Sequence, residues 1–167
     1  MRKTVATLFL FFTSLLVLHA EVLIGKVVHI SDGDTITVLN QSKEQFKVRL
    51  YGIDAPESKQ AFGNVAKKHL SSIVSGKEVK VEWKSKDRYG RLLGKVFVGD
   101  LDVNLKMLKD GLAWHFKRYD NTRSFAEAEK EAKEKKLGLW REPNPIPPWN
   151  FRNKKKIVFN RGLHEKQ

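Results

Sequence analysis

The sequence predicts an α+β fold that is mainly β, a small barrel of five strands with three helices packed outside it. Three observations lead there. Short runs of β-branched and alternating apolar residues fill the stretch from Val22 to Val98, and helical spacing of apolar residues recurs in three places. The 167 residues, 41% hydrophobic and 10% aromatic, hold enough apolar side chain for one compact domain, but two full-sized domains are not expected.

The strands come in order. Val22 to Ile24 and Lys26 to Ile30 make a first extended run, and Thr35 to Val38 a second, separated by the Asp32-Gly33 turn. Phe46 to Tyr51 alternates, so Phe46, Val48 and Leu50 face one way while Lys47, Arg49 and Tyr51 face the other. Val79 to Trp83 and Leu92 to Val98 supply two more strands, joined by a polar loop from Lys84 to Gly90.

Three helices fit between and after them. Phe62, Val65, Ala66, His69, Leu70, Ile73 and Val74 fall at helical spacing, and Gly76 ends that helix. Asp102 is placed to cap a short helix from Val103 to Asp110, stopped by Gly111. Ser124-Phe-Ala-Glu127 reads as a capping box opening a third, charged helix that runs towards Gly138. Strands with helices inserted in this way suggest a closed or nearly closed barrel of the OB type.

At the N-terminus, Arg2 and Lys3 precede an apolar run of 14 residues, Val5 to Leu18, followed by His19 and Ala20. A basic start, an apolar middle shorter than the roughly 20 residues of a membrane span, and a small residue at the end read as a signal peptide over 1–20, with an uncleaved N-terminal anchor as the alternative. The barrel domain is expected over 21–150. A Pro-rich arm, Pro143 to Pro148, leads to a basic tail over 151–167 in which Arg152 and Lys154 to Lys156 cluster.

Without residues 1–20 the chain keeps 30 Lys plus Arg against 19 Asp plus Glu, a net charge of +11. That balance favours polyanionic partners: nucleic acid, anionic lipid or an acidic envelope polymer. The absence of cysteine excludes disulfides, thiol catalysis and Cys-ligated zinc or iron–sulfur sites.

Three segments place charge where strands should end: Ser31-Asp-Gly-Asp-Thr35, Arg49-Leu-Tyr-Gly-Ile-Asp-Ala-Pro-Glu57 and Asp87-Arg-Tyr-Gly-Arg91. Alone, each reads equally as a turn or a surface salt-bridge cluster. Together they suggest phosphodiester hydrolysis, which needs a base to activate water, a hard cation to polarise the phosphate and positive charge to stabilise the transition state. Glu57 is the candidate base, Asp34 and Asp54 are candidate oxygen ligands for Ca²⁺ or Mg²⁺, and Arg49 and Arg91 are candidate bidentate phosphate partners.

Those segments, with Val103-Asn-Leu-Lys-Met-Leu-Lys-Asp-Gly-Leu-Ala-Trp114 and Lys136-Leu-Gly-Leu-Trp140, resemble the staphylococcal-nuclease-like, or thermonuclease, family in content and order over roughly residues 24–150. The resemblance implies an OB-fold barrel with three helices and Ca²⁺-dependent cleavage of DNA and RNA at the P–O5′ bond, leaving 3′-phosphates. It makes Arg49, Glu57 and Arg91 the catalytic residues, and Asp34, Asp54 and the backbone carbonyl of Ala55 the calcium ligands. Asp32 is expected to support the ligands from behind. Tyr89, Tyr119 and Lys117 fall at the nucleotide pocket. Ala55 stands where the founding member has threonine, Lys117 where it has tyrosine, and the loop Ser58 to Gly63 is shorter.

Two other classes fit parts of the pattern. A non-catalytic OB-type nucleic-acid binder would share the barrel and the basic surface, but degenerate family members typically lose the arginines or the glutamate, and all five charged candidates are present here. A basic envelope-binding protein would carry the acids only as surface pairs. The expected partners are DNA and RNA, with no obligate protein partner and no membrane span once the leader is removed. The expected state is an exported monomer, either secreted or held in the periplasm or cell envelope.

Overall fold

The computed structural model describes residues 21–153. The expected leader at 1–20 and the tail from 154 onward lie outside the described residues.

Five long strands build the barrel: β1 (Glu21–Ile30), β2 (Thr35–Leu39), β3 (Gln45–Leu50), β5 (Glu78–Lys86) and β6 (Leu92–Val98). Neighbours pair antiparallel from β3 through β2, β1 and β5 to β6, and a parallel pairing of β3 with β6 closes the ring, setting Val48 opposite Leu92 and Leu50 opposite Gly94. Closure demands close approach at Gly94, where an added Cβ would stand 2.6 Å from Val81 Cγ1. Register shifts at Val27/His29 in β1 and Trp83/Ser85 in β5 supply the bends a small barrel requires. Two-residue strands complete the sheets: β4 (Ile53–Asp54) pairs with β8 (Trp114–His115), and β7 (Leu101–Asp102) extends β6.

Alternation on β3 is as expected, with Val48 and Leu50 buried and Gln45 and Lys47 exposed. The barrel interior is filled by Ile36, Val38, Val48, Val81, Leu92 and Val96. Helix α1 (Gly63–Val74) covers it with Ala66, Leu70 and Val74, α2 (Val103–Lys109) with Val103, Met107 and Leu108, and α3 (Arg123–Glu134) with Phe125 and Ala128.

The first two helices end and begin as expected: the Asp102 side chain accepts from Leu105 N–H at 2.9 Å, and Gly76 and Gly111 hold φ of +69° and +66° just past the helix ends. The third differs. Its N-cap is Thr122 with no side-chain cap, and Glu127 is taken by Arg123 one turn earlier at 2.6 Å, so the capping box at Ser124 does not form. The turn before it is instead held by Asp120, which accepts from the Thr122 N–H and hydroxyl, both at 2.9 Å. A 3₁₀ turn (Gly138–Arg141) and a helical stretch at 148–153 follow.

Asn104 on α2 locks the helix layer to the barrel. Fully buried, its Oδ1 accepts from Val96 N–H at 3.0 Å, and its Nδ2 donates to the carbonyls of Tyr51 (2.8 Å) and Gly94 (3.2 Å). These three groups sit where β3 and β6 meet, beside the strand end that carries Arg49. A buried group left unpaired costs about 1–3 kcal/mol, so Asn104→Leu is expected to lower the unfolding free energy by about 2 kcal/mol or more, measured by urea denaturation. A change within ~0.5 kcal/mol would show that the bridge carries no stability.

Candidate active site

Asp34 ends the turn that feeds β2, and Gly33 lets that turn pack down. A Cβ on Gly33 would stand 2.7 Å from the Ala55 Cβ and 2.8 Å from the Ala66 Cβ, so turn, helix α1 and the segment after β4 meet there. Asp32 Oδ1 accepts from the Asp34 N–H at 3.1 Å and shapes the turn from behind. The Asp34 carboxylate, 5% exposed, accepts from the Ala55 N–H at 2.7 Å and the Thr35 hydroxyl at 3.1 Å.

Across the β2–β3 ladder Thr35 faces Arg49, which brings the guanidinium back over the turn. Arg49 Nη1 lies 2.5 Å from Asp34 Oδ2, and Nη2 donates to Asp54 Oδ1 at 2.8 Å. The guanidinium is therefore buried between two carboxylates and ion-paired with both.

The short β4–β8 pairing fixes Asp54, 1% exposed, opposite Trp114. Three residues on, Glu57 is braced by Gln60, whose Oε1 accepts from the Glu57 N–H at 3.2 Å while the Gln60 N–H donates to the Glu57 carbonyl at 2.8 Å. Gln60 Nε2 also donates to the Ile146 carbonyl, tying this turn to the Pro-rich arm. Arg91 opens β6 under the control of Asp87, which takes its Nε at 2.8 Å and Nη2 at 2.7 Å and accepts from the Tyr89 and Arg91 N–H groups. The free Nη1 reaches Thr35 Oγ1 at 3.4 Å, so Arg91 joins the Asp34 cluster through one hydroxyl.

The structure therefore brings Asp34, Arg49, Asp54, Ala55 and Glu57 together, with Arg91 at their edge. The aromatic candidates are peripheral. Tyr89 (68% exposed) lies beside Arg88 and Arg91, and Tyr119 (60% exposed) packs edge-on to Phe116 and takes the Tyr51 hydroxyl on its carbonyl. Lys117, expected at the nucleotide pocket, is exposed and has its ammonium 3.2 Å from Glu129 Oε2. Glu129 also receives Lys133 at 2.9 Å and the His115 N–H at 3.0 Å, a buried acid that draws nearby cations to itself.

Arg152 is the unexpected member. Assigned by sequence to the basic tail, it returns over the site: Nη2 donates to Asp54 Oδ2 at 2.7 Å, and Nη1 to Asp54 Oδ1 at 3.2 Å and Glu57 Oε1 at 2.7 Å.

Burial pushes the Asp34 carboxyl up to about 7, with Arg49 opposing and the nearby Asp32 and Asp54 charges adding to the rise. Burial also works against the Arg49 charge, but Asp34 and Asp54 more than offset it and leave Arg49 above the ordinary arginine value. Such a crowd of carboxylates favours a bound cation. Among the described residues no three His, Cys, Asp or Glu side chains form a ready metal cluster. A cation here would rest on Asp34 and Asp54, with the Ala55 carbonyl and water completing a hard, oxygen-only shell. That donor chemistry fits Ca²⁺ or Mg²⁺ and not a soft metal.

Comparison with known proteins agrees with this geometry. Residues 47–142 match the family model described as staphylococcal nuclease homologue. The chain belongs to this nuclease family. A Haemophilus influenzae protein named an uncharacterized endonuclease is 44% identical over 93% of this chain and 88% of its own length. A micrococcal nuclease of Shigella flexneri is 42% identical over 81% of this chain and 84% of its own. A staphylococcal-like nuclease of Arabidopsis thaliana is 43% identical over 68% of this chain but 35% of its own. The nuclease family match includes Arg49, Asp54, Ala55, Glu57 and Arg91 and stops before Arg152.

Sequence reasoning missed three supports of this candidate site. Asp87 was legible, since an acid four residues before an arginine across a Gly turn can hold that arginine. Gln60 gave only the weak signal of lying three residues past the candidate base. Arg152 gave none, because a long-range return of the chain leaves no local pattern.

An aspartate whose folded pKa is raised from 3.8 to about 7 binds protons more tightly folded than unfolded. In chelator, Asp34 therefore makes stability fall as pH rises from about 4 to about 7 and leaves it level above. Asp87, Asp120 and Glu129 do not mask that window, because burial would raise each, yet their hydrogen bonds and cationic partners hold them below their ordinary values. Thermal melts of Asp34→Asn in chelator are expected to be flatter over pH 4–7 than those of the unaltered protein; an identical slope would overturn the assignment.

Proposed function

We propose that this protein is an exported, Ca²⁺-dependent nuclease acting as a monomer on DNA and RNA, cleaving the P–O5′ bond to leave 3′-phosphate ends. The observation that carries this reading is the meeting of Asp34, Asp54, Glu57, Arg49 and Arg91 at one end of the barrel. Family membership supports phosphodiester hydrolysis, the oxygen-only donor set supports a hard cation, and the family resemblance supports the finer choices of Ca²⁺ and bond cleaved.

Arg49, buried between Asp34 and Asp54, offers its guanidinium to a non-bridging phosphate oxygen. Arg91, held at a fixed angle by Asp87, offers Nη1 from the other side. Glu57 takes the proton of the attacking water as the new O–P bond forms. The P–O5′ bond then breaks, and the departing 5′-oxygen takes a proton from solvent water. A Ca²⁺ on Asp34, Asp54 and the Ala55 carbonyl would polarise the phosphate and offset its charge. The two arginines matter most as charge builds on the phosphorane oxygens, so their loss should fall on kcat.

Export rests on the character of residues 1–20, and among the described residues no helix is long and apolar enough to cross a membrane. Intact-mass analysis of the extracytoplasmic fraction is expected to find a chain shortened by about 20 residues; only full-length protein in the cytoplasm would refute export.

Glu57→Gln is expected to lower kcat about 10²–10⁴-fold with little change in DNA binding. Arg91→Lys, which keeps charge but not the fork, is expected to lose on the order of 10²-fold. Chelation should abolish hydrolysis of plasmid and RNA, and added Ca²⁺ should restore it. Near-normal kcat in both variants would turn the barrel into a binder, and full activity in excess chelator would remove the cation role.

A further inference from the structure

We propose that Arg152 is an internal cation that occupies the metal-binding carboxylates until a divalent ion displaces it. The inference rests on the reading of Asp54 as a cation ligand.

Arg152 takes both oxygens of Asp54 and one of Glu57, the lone pairs that a divalent ion and the attacking water would use. Asp54 Oδ1 accepts from both Arg49 and Arg152 and Oδ2 from Arg152, so three of the carboxylate's roughly four lone-pair directions are taken and a metal has to compete with Arg152 for them. Electrostatic repulsion points the same way: a divalent ion on Asp34 and Asp54 would stand beside the Arg152 guanidinium, and the repulsion between the two cations favours the departure of Arg152.

The guanidinium is held there by a defined mount. Residues 148–153 are helical, with the Asn150 and Phe151 N–H groups both donating to the Pro147 carbonyl at 3.0 and 3.1 Å. Trp149, three residues before Arg152, stacks on Phe116 with ring centroids 5.4 Å apart and meets Trp114 edge-on at 5.7 Å. Trp114 is the strand partner of Asp54, and the arm is tied through Ile146 to Gln60 beside Glu57. The mount therefore grips the two segments whose carboxylates Arg152 binds. The side chain itself is 39% exposed. It has a path into solvent by rotation about its own bonds, with the aromatic mount unmoved.

A site closed by Arg152 about nine-tenths of the time binds its cation about tenfold more weakly than an open one. Isothermal titration of Ca²⁺ into the chelator-stripped protein, without nucleic acid, reads this directly. Arg152→Gln is expected to tighten Ca²⁺ binding on the order of tenfold, and Arg152→Lys, which keeps the charge but loses the fork, to tighten it less. A second reading comes from melting: in chelator Arg152→Gln should melt lower than the unaltered protein, while the rise in Tm on adding Ca²⁺ should be larger. A residue with a merely structural role would lower Tm without tightening Ca²⁺.

Unchanged or weaker Ca²⁺ binding in both variants overturns the proposal and leaves the cation site standing. Unchanged Ca²⁺ affinity with a raised KM for DNA also overturns it, assigning Arg152 to the substrate phosphate instead. Should neither the unaltered protein nor the variants take up Ca²⁺ at all, the reading of Asp34 and Asp54 as ligands fails, and the proposal with it.

Discussion

Asp34 and Asp54 are carboxylates removed almost entirely from water, and one guanidinium, that of Arg49, lies between them. Taking such ions out of water costs several kcal/mol each, recovered only when geometry is tight and the remaining lone pairs are filled. The Thr35 hydroxyl, the Ala55 N–H and Arg152 fill them here. The shape of the barrel end follows. Asp34 must start β2 where Arg49 ends β3, which makes the register of that hairpin a property of the site as much as of the core. A slip of one residue would turn Arg49 towards Val48's place in the interior and send an apolar side chain to the carboxylates.

Closure of the barrel carries the same constraint to Arg91. The parallel pairing of β3 with β6 sets Arg49 opposite Leu93, two residues beyond Arg91, so both arginines leave the barrel at one end. Asn104 binds the carbonyls on either side of that seam, and the small β4–β8 sheet fastens Asp54 to the segment bearing Trp114. The chemistry-bearing side chains come from turns and strand ends, while the strands between are spent on packing. Such a division suits a site that needs charge in a nearly dry place.

Most of the fold was legible because it is local. Alternation in β3, the i, i+4 spacing of Ala66, Leu70 and Val74, and the Asp102 cap each follow from backbone geometry within a few residues. The capping box at Ser124 failed because a competing partner, Arg123, sits one turn from Glu127, and because Asp120 already ordered the preceding turn. The candidate cluster was legible as a set of charges at strand ends. Its pairing was not, since which guanidinium meets which carboxylate is decided by contacts such as Arg152 with Asp54, 98 residues apart. Likewise the ion pair of Lys117 with buried Glu129 joins residues 12 apart and leaves no local pattern in the sequence.

A strongly basic protein with three carboxylates at its candidate site meets a polyanion under opposing demands. The surface charge draws phosphate in over distances of about a Debye length, while bare carboxylates would repel it at the last few ångströms. The structure meets the second demand by never leaving the acids bare: Arg49 spans Asp34 and Asp54, and Arg152 spans Asp54 and Glu57. A guanidinium does this with planar, fixed directions and can be exchanged; a divalent ion does it with more charge in less space and with coordination positions open to a phosphate oxygen. Neutralisation alone is satisfied by either. On the proposed reading only the second would leave Glu57 free to accept a proton, and the carboxylates that Arg152 holds in the resting protein would then be those that change partner before a phosphodiester is cut.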